Sequence, residues 1–203
     1  PFPNSYIIDK LIAIFESKAI ETALIFTKTD KMGCSELAEI YEKAGYKCFF
    51  SDLNTDTDDI RKYAAGKITA LIGNSGVGKS SLLNRIFPDL RTDTGEISKK
   101  LGRGKHTTRE VCMYPLDGGY IADTPGFSTV DIERYGRIPK EELAGCFREF
   151  QPYLGKCRFA NCAHLKEIGC EITEAVASGT IPKVRYDSYF RIYTESAENE
   201  KKY

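Results

Sequence analysis

The chain has 203 residues, with 29 Lys plus Arg against 29 Asp plus Glu and a formal net charge of zero. That length suits one domain of moderate size plus a small appendage, burying about 70% of the unfolded surface. The even balance removes any global basic field, so nucleic-acid binding has to come from local patches. Seven cysteines are an odd number with no even framework, no secretory signal opens the chain, and no apolar run approaches membrane-spanning length. This reads as a reduced, cytoplasmic protein with no membrane segment.

Pro1 to Asn4 is turn-like, and Ser5 can cap a helix on which Ile7, Ile8, Leu11, Ile12 and Phe15 recur at helical spacing. Such an opening reads as the middle of a domain. The run Ala23-Leu24-Ile25-Phe26 predicts a buried strand that opens onto Thr27-Lys28-Thr29-Asp30. A helix over residues 35–44 closed by Gly45, a strand over 46–50, a loop at Ser51-Asp52-Leu53 and a helix over 59–65 ended by Gly66 follow. Strands alternating with helices imply an α/β fold, a parallel sheet covered on both faces with ligands at the strands' carboxyl ends.

The apolar run Ile68-Thr69-Ala70-Leu71-Ile72 leads into Gly73-Asn74-Ser75-Gly76-Val77-Gly78-Lys79-Ser80-Ser81 and then into the helical Leu82-Leu83-Asn84-Arg85-Ile86-Phe87. Strand, glycine loop and helix are the context a phosphate loop needs. The glycines let successive N–H groups point at phosphate oxygens, and the helix adds the positive end of its dipole. Lys79 would reach the β- and γ-phosphates, and the Ser80 hydroxyl would ligate Mg²⁺. Residues 88–108 carry Lys99, Lys100, Arg103 and Lys105 with little apolar periodicity, which predicts a long loop. Residues 111–116, the turn Asp117-Gly118-Gly119 and Tyr120-Ile121-Ala122 predict a hairpin whose second strand delivers Asp123-Thr124-Pro125-Gly126. Asp123 would hold a Mg²⁺-bound water, and the Gly126 N–H would bond the γ-phosphate. Helices are predicted over 141–150, 172–177 and 183–200.

In a nucleotide site, Asp30 would accept hydrogen bonds from guanine N1–H and the 2-amino group, with Lys28 packing over the base. Adenine offers no such donors and would leave the carboxylate unpaired. Ser51, at the next strand's end, would add a backbone or hydroxyl contact to the base. Ordinary guanine-nucleotide domains place the phosphate loop first, whereas here Asp30 precedes Lys79. A circular permutation gives the same sheet with new ends. Cys157, Cys162, His164 and Cys170 suit a closed tetrahedral structural zinc site. Cys34, Cys48, Cys112 and Cys146 read as buried free thiols. Phe127 stands after Gly126, where many GTPases place a water-orienting glutamine, so His106 in the basic loop becomes the candidate catalytic group.

With the permuted motifs, Gly-Arg-Gly-Lys-His-Thr-Thr at 102–108 and the Cys-Cys-His-Cys cluster placed, the chain resembles the ribosome small-subunit-dependent GTPase A family. The resemblance implies a GTPase acting late in small-subunit maturation as a monomer, stimulated by that subunit and its rRNA, with one Zn²⁺ and with Mg²⁺ accompanying GTP or GDP. It makes Thr107 or Thr108 the switch threonine that closes over Mg²⁺ beside Ser80 and Asp123. It divides the chain into a GTPase domain, 1–138, and a zinc-binding helical module, 139–203. Two departures stand out: the family's N-terminal oligonucleotide-binding barrel is not in this sequence, and Thr27 stands where Asn is usual, which predicts weaker support of the loop with base choice kept. The competing readings are an RNA-binding assembly factor in which GTP only sets affinity, and an ATP-dependent kinase or transport ATPase, which the tetrapeptide disfavours.

Overall fold

A computed structural model describes residues 3–29, 33–52, 55–74, 76–88, 111–124 and 136–200. In chain order the first elements are α1 (Ser5–Glu16), β1 (Ala23–Thr27), α2 (Ser35–Lys43), β2 (Lys47–Ser51), α3 (Asp58–Ala64), β3 (Ile68–Leu71) and α4 (Lys79–Ile86). Then come β4 (Cys112–Leu116), β5 (Gly119–Asp123), α5 (Lys140–Leu143), α6 (Glu171–Ala177) and α7 (Lys183–Glu200). Of the apolar positions predicted on α1, Leu11 and Ile12 are buried and Ile7, Ile8 and Phe15 are half-buried, while Asp9, Ala13 and Ile14 are buried as well. Asn4, not Ser5, occupies the cap position, and its carbonyl accepts the N–H groups of Ile7 and Ile8.

Among the described residues the strands fall into two sheets where the sequence predicted one. β1 pairs with β2, while β3, β5 and β4 form a second sheet in that order. Within it β3 and β5 are parallel, with Leu71 opposite Asp123, and β4 and β5 are antiparallel. The β4–β5 turn is the two-residue type with φ > 0 at both centres, Asp117 at 42° and Gly118 at 82°, as the Asp-Gly pair predicts. Gly119 packs so tightly that a Cβ there would lie 2.1 Å from the Lys67 carbonyl oxygen. That close approach lets Tyr120 N–H donate to the same carbonyl and seats β5 in register against β3.

The chain forms two compact units. One comprises Pro1–Ile25, Met32–Cys48 and Asp131–Tyr203, and the other Phe26–Lys31 and Phe49–Val130. In the first unit α1 packs on α7. Its core gathers Phe147, Phe150 and Tyr189, whose ring centroids lie 5.0 to 5.4 Å apart. Beside them Arg185 is buried at 1% exposure, donating to Asp9 Oδ1 at 2.5 Å and to Glu149 Oε1 at 2.6 Å. Tyr41 donates to the same Asp9 oxygen at 2.9 Å. The helix predicted over 141–150 is instead α5 followed by two 3₁₀ segments, Ala144–Cys146 and Arg148–Tyr153. Gly145 weakens the helix interior, and Phe147 turns extended to bury its ring completely. Cys34, Cys48 and Cys146 are buried free thiols, and Cys112 is half-buried.

Candidate active site and metal centre

The second unit holds the phosphate loop, the base-side tetrapeptide and Asp123. β3 delivers Gly73 at its carboxyl end, and α4 starts at Lys79 with Gly78 as its cap. Gly76 and Gly78 take φ values of 78° and 109°, a region that side chains disfavour, so the curl of the loop depends on them. Lys79 arches back and donates from Nζ to the carbonyls of Gly73 at 2.6 Å and Asn74 at 3.1 Å. Burial lowers the pKa of this ammonium, and the nearby carboxylate of Asp123 opposes the shift. Ser80 and Ser81, in the first turn of α4, are exposed. Thr124 donates to the Leu71 carbonyl at 2.6 Å, fixing the end of β5 beside the strand that feeds the loop. Ser80 and Asp123 are hard oxygen donors at this end of the sheet, the chemistry that Mg²⁺ selects.

The tetrapeptide grips the phosphate loop directly. Thr27 donates from its hydroxyl to the Val77 carbonyl at 2.5 Å, and Lys28 donates from Nζ to the Gly76 carbonyl at 2.7 Å. Lys28 adopts φ 59°, unusual for a residue with a side chain, and its N–H donates to the Ser51 carbonyl at 2.9 Å. Thr27 thus supplies a direct hydroxyl tie to the loop from the position where the family's usual Asn is missing. Ser51 is buried, and its hydroxyl accepts from Arg85 Nη1 at 3.0 Å, so its side chain faces the protein. Asp30, Ser75, Gly126 and Phe127, and the basic loop with His106, Thr107 and Thr108, lie outside the described residues.

In the first unit, the ligand atoms of Cys157, Cys162, His164 and Cys170 all lie within 4.8 Å of one another. His164 Nδ1 is 3.5 Å from Cys157 Sγ and 3.4 Å from Cys170 Sγ, and the two sulfurs are 3.9 Å apart. Tetrahedral zinc with bonds of about 2.3 Å to sulfur and about 2.0 to 2.1 Å to nitrogen requires S···S near about 3.8 Å and S···N near about 3.6 Å. The residues fit the ion. Burial raises the Cys162 thiol to about 12 and lowers His164, a crowding of donors that a divalent cation relieves.

The surroundings of the cluster were not visible in the sequence. Glu167 accepts the N–H groups of Ala163 and Leu165 at 2.8 Å and of Lys166 at 3.0 Å, which shapes the loop carrying His164. Burial would raise the Glu167 carboxyl, yet these backbone bonds outweigh it and leave the pKa lowered. From α7, Tyr186 donates to the carbonyls of His164 and Leu165, each at 2.9 Å, and Tyr189 to that of Ala163 at 2.8 Å. These contacts hold His164 at φ 58°. Such outer contacts fix the orientation of a side chain placed to hold a metal.

A family model for RsgA GTPase matches residues 1–133. The chain belongs to the RsgA GTPase family. A curated relative from Caldanaerobacter subterraneus subsp. tengcongensis, named small ribosomal subunit biogenesis GTPase RsgA, is 43% identical over 208 residues, which are 100% of this chain and 69% of the relative. A relative of the same name from Moorella thermoacetica is 40% identical, covering 100% of this chain and 71% of its own. Among solved structures, YloQ, described as a circularly permuted GTPase, matches with a TM-score of 0.76 at 30% identity, over 98% of this chain and 65% of that one. YjeQ from Thermotoga maritima matches with a TM-score of 0.73 at 32% identity, over 97% and 67%. The chain thus spans about two thirds of the length of these RsgA relatives. By family and fold it is a circularly permuted GTPase, a GTP hydrolase of mixed α/β architecture.

Proposed function

We propose that this chain hydrolyses GTP as a maturation factor of the small ribosomal subunit, and that the subunit stimulates turnover. The observation that carries the reading is the direct tie between tetrapeptide and phosphate loop, Thr27 to Val77 and Lys28 to Gly76, in a chain whose relatives bear the biogenesis name. Residues 73–81 cradle the phosphates, with Lys79 neutralising charge that develops on the transferring phosphoryl group. Ser80, Asp123 and Thr107 or Thr108 would hold Mg²⁺, which when bound neutralises the β- and γ-oxygens, and the Gly126 N–H meets the γ-phosphate. Lys28 and Thr29 flank the base that Asp30 reads, and Ser51 supports them from β2. His106 orients the attacking water in place of the glutamine that Phe127 replaces.

Lys99, Lys100, Arg103 and Lys105 offer positive charge to rRNA phosphates, and contact with the subunit brings His106 to the γ-phosphate. Cys157, Cys162, His164 and Cys170 bind one structural Zn²⁺. The protein works as a cytoplasmic monomer, with residues 1–138 as its GTPase domain and 139–203 as its zinc-binding part. Among the described residues no helix is long and apolar enough to cross a membrane. The test is GTP turnover with small subunits, with large subunits and alone, for wild type and His106→Ala. Small subunits alone should accelerate wild type, and the variant should bind GTP and subunit normally but lose the acceleration. Equal rates in all three conditions would refute the functional reading, and full stimulation of the variant would remove His106.

A further inference from the structure

Three features lie outside the roles already assigned: the buried Arg185 cluster, the exposed apolar residues of β3, β4 and β5, and the guanidinium of Arg85. The third reaches the nucleotide site. Arg85 stands in the last turn of α4, six residues beyond Lys79, which is about 9 Å along the same helix axis. Nη1 donates to the Ser51 hydroxyl at 3.0 Å and to the Asp52 carbonyl, and Nη2 donates to the Thr55 carbonyl. One planar fork thus satisfies acceptors on three residues at and just beyond the end of β2. A point charge on a lysine cannot reproduce that pattern.

We propose that Arg85 is a positioning residue for guanine recognition: it anchors Ser51, Asp52 and Thr55 to the phosphate helix, and these residues hold the base-side tetrapeptide in place. The links are continuous. Asp52 and Thr55 close on each other, with Thr55 N–H donating to Asp52 Oδ1 at 2.8 Å and Asp52 N–H to the Thr55 hydroxyl at 3.2 Å. The Ser51 carbonyl then accepts Lys28 N–H at 2.9 Å, and the Thr29 hydroxyl lies 3.5 Å from Asp52 Oδ2. The helix that begins at the phosphates therefore also sets the height of the residues beside the base. Without Arg85 the phosphate contacts remain, while the tetrapeptide loses its backing on the β2 side.

The inference rests on the guanine-binding reading above, and the experiment separates the two. GTP, GDP and ITP affinities are measured on the full chain for wild type, Arg85→Ala and Arg85→Lys. ITP lacks the 2-amino group, so wild type should favour GTP. In both variants that preference should narrow by about fivefold to tenfold, the size of one ordinary net hydrogen bond. GTP and GDP affinities should fall by equal factors, and kcat at saturating GTP should stay within about twofold, because the phosphate contacts are untouched. A general structural defect would instead weaken GTP and ITP alike and lower kcat. Unchanged preference in Arg85→Ala, equal losses for GTP and ITP, or full rescue by Arg85→Lys would overturn the role. Should Arg85→Ala not fold, Ser51→Ala removes one of the three acceptors and must narrow the preference by a smaller factor; no narrowing would overturn the role equally. A wild type that does not distinguish GTP from ITP would instead refute the guanine reading itself.

Discussion

Replacing Arg185 with alanine gives the largest stability effect that can be derived from the described residues. The guanidinium is 1% exposed, and its partners Asp9 and Glu149 are 0% and 4% exposed in their side chains. Burial opposes its charge, yet the two carboxylates outweigh that and raise its pKa above the ordinary arginine value. It makes bonds of 2.5 and 2.6 Å and a third to Glu149 Oε2 at 3.3 Å, and the rings of Phe147, Tyr46 and Tyr41 lie 4.7, 5.5 and 5.6 Å from its guanidinium. Arg185→Ala strands two buried carboxylates, for which the cost of breaking a buried pair is about 3–5 kcal/mol. Tyr41 still donates to Asp9, which favours the lower end. At about 2–4 °C per kcal/mol for a chain of this size, the melting temperature should fall by about 6–12 °C. Calorimetry at fixed zinc measures it. Removing all three charges together, as Arg185→Met with Asp9→Leu and Glu149→Met, should recover most of the loss because no buried charge is then left alone. A drop under about 2 °C for the single variant, or a triple variant no more stable than the single, would refute the electrostatic account.

The remaining predictions concern the two sites. Lys79→Ala should lower GTP turnover by about a hundredfold to a thousandfold, the usual loss for one well-placed charge-stabilising donor, and near-normal hydrolysis would remove it from the phosphate site. Thr27→Val keeps the side chain's shape but deletes the bond to Val77, so GTP and GDP should both bind about fivefold more weakly in fluorescence titrations. A change confined to GTP would contradict a tie that the γ-phosphate does not enter. Metal analysis should find one zinc per chain in wild type and a deficit in Cys162→Ser. Tyr186→Phe should keep the metal but weaken it against a chelator by about tenfold to a hundredfold, through loss of its bonds to the His164 and Leu165 carbonyls.

Local chemistry made much of this molecule legible. The glycine loop announced itself because apolar residues precede it at strand spacing and follow it at helix spacing, and the structure places Lys79 at the first position of α4. The Asp-Gly turn and the span of α7, residues 183–200, also follow from short-range preferences. What the sequence hid are interactions between distant residues. Arg185 and Asp9 are 176 positions apart, and a single arginine on a helix reads as a solvated charge until the fold buries it. Arg85 looks equally ordinary within Leu-Leu-Asn-Arg-Ile, since its three acceptors lie some thirty residues upstream. The short helices of 140–153 were misread as one because apolar spacing alone does not register that Gly145 interrupts it. Thr27 was read as a weak substitute for Asn, and the structure finds its hydroxyl bonded to the phosphate loop.

The division of the chain into two units has a consequence for how the protein is made. Every residue of the unit that carries the nucleotide site, Phe26–Lys31 and Phe49–Val130, is synthesised before residue 131. The other unit includes α7, whose Arg185 meets Asp9 of α1, so that contact forms only after α7 has been made. At about 5–20 residues per second, residues 131–203 take about 4–15 s to add. During that interval a nascent chain already holds residues 27–30 and 73–81, and if these bind GTP as proposed, cellular GTP would stabilise that unit by mass action before Cys157, Cys162, His164 and Cys170 are translated.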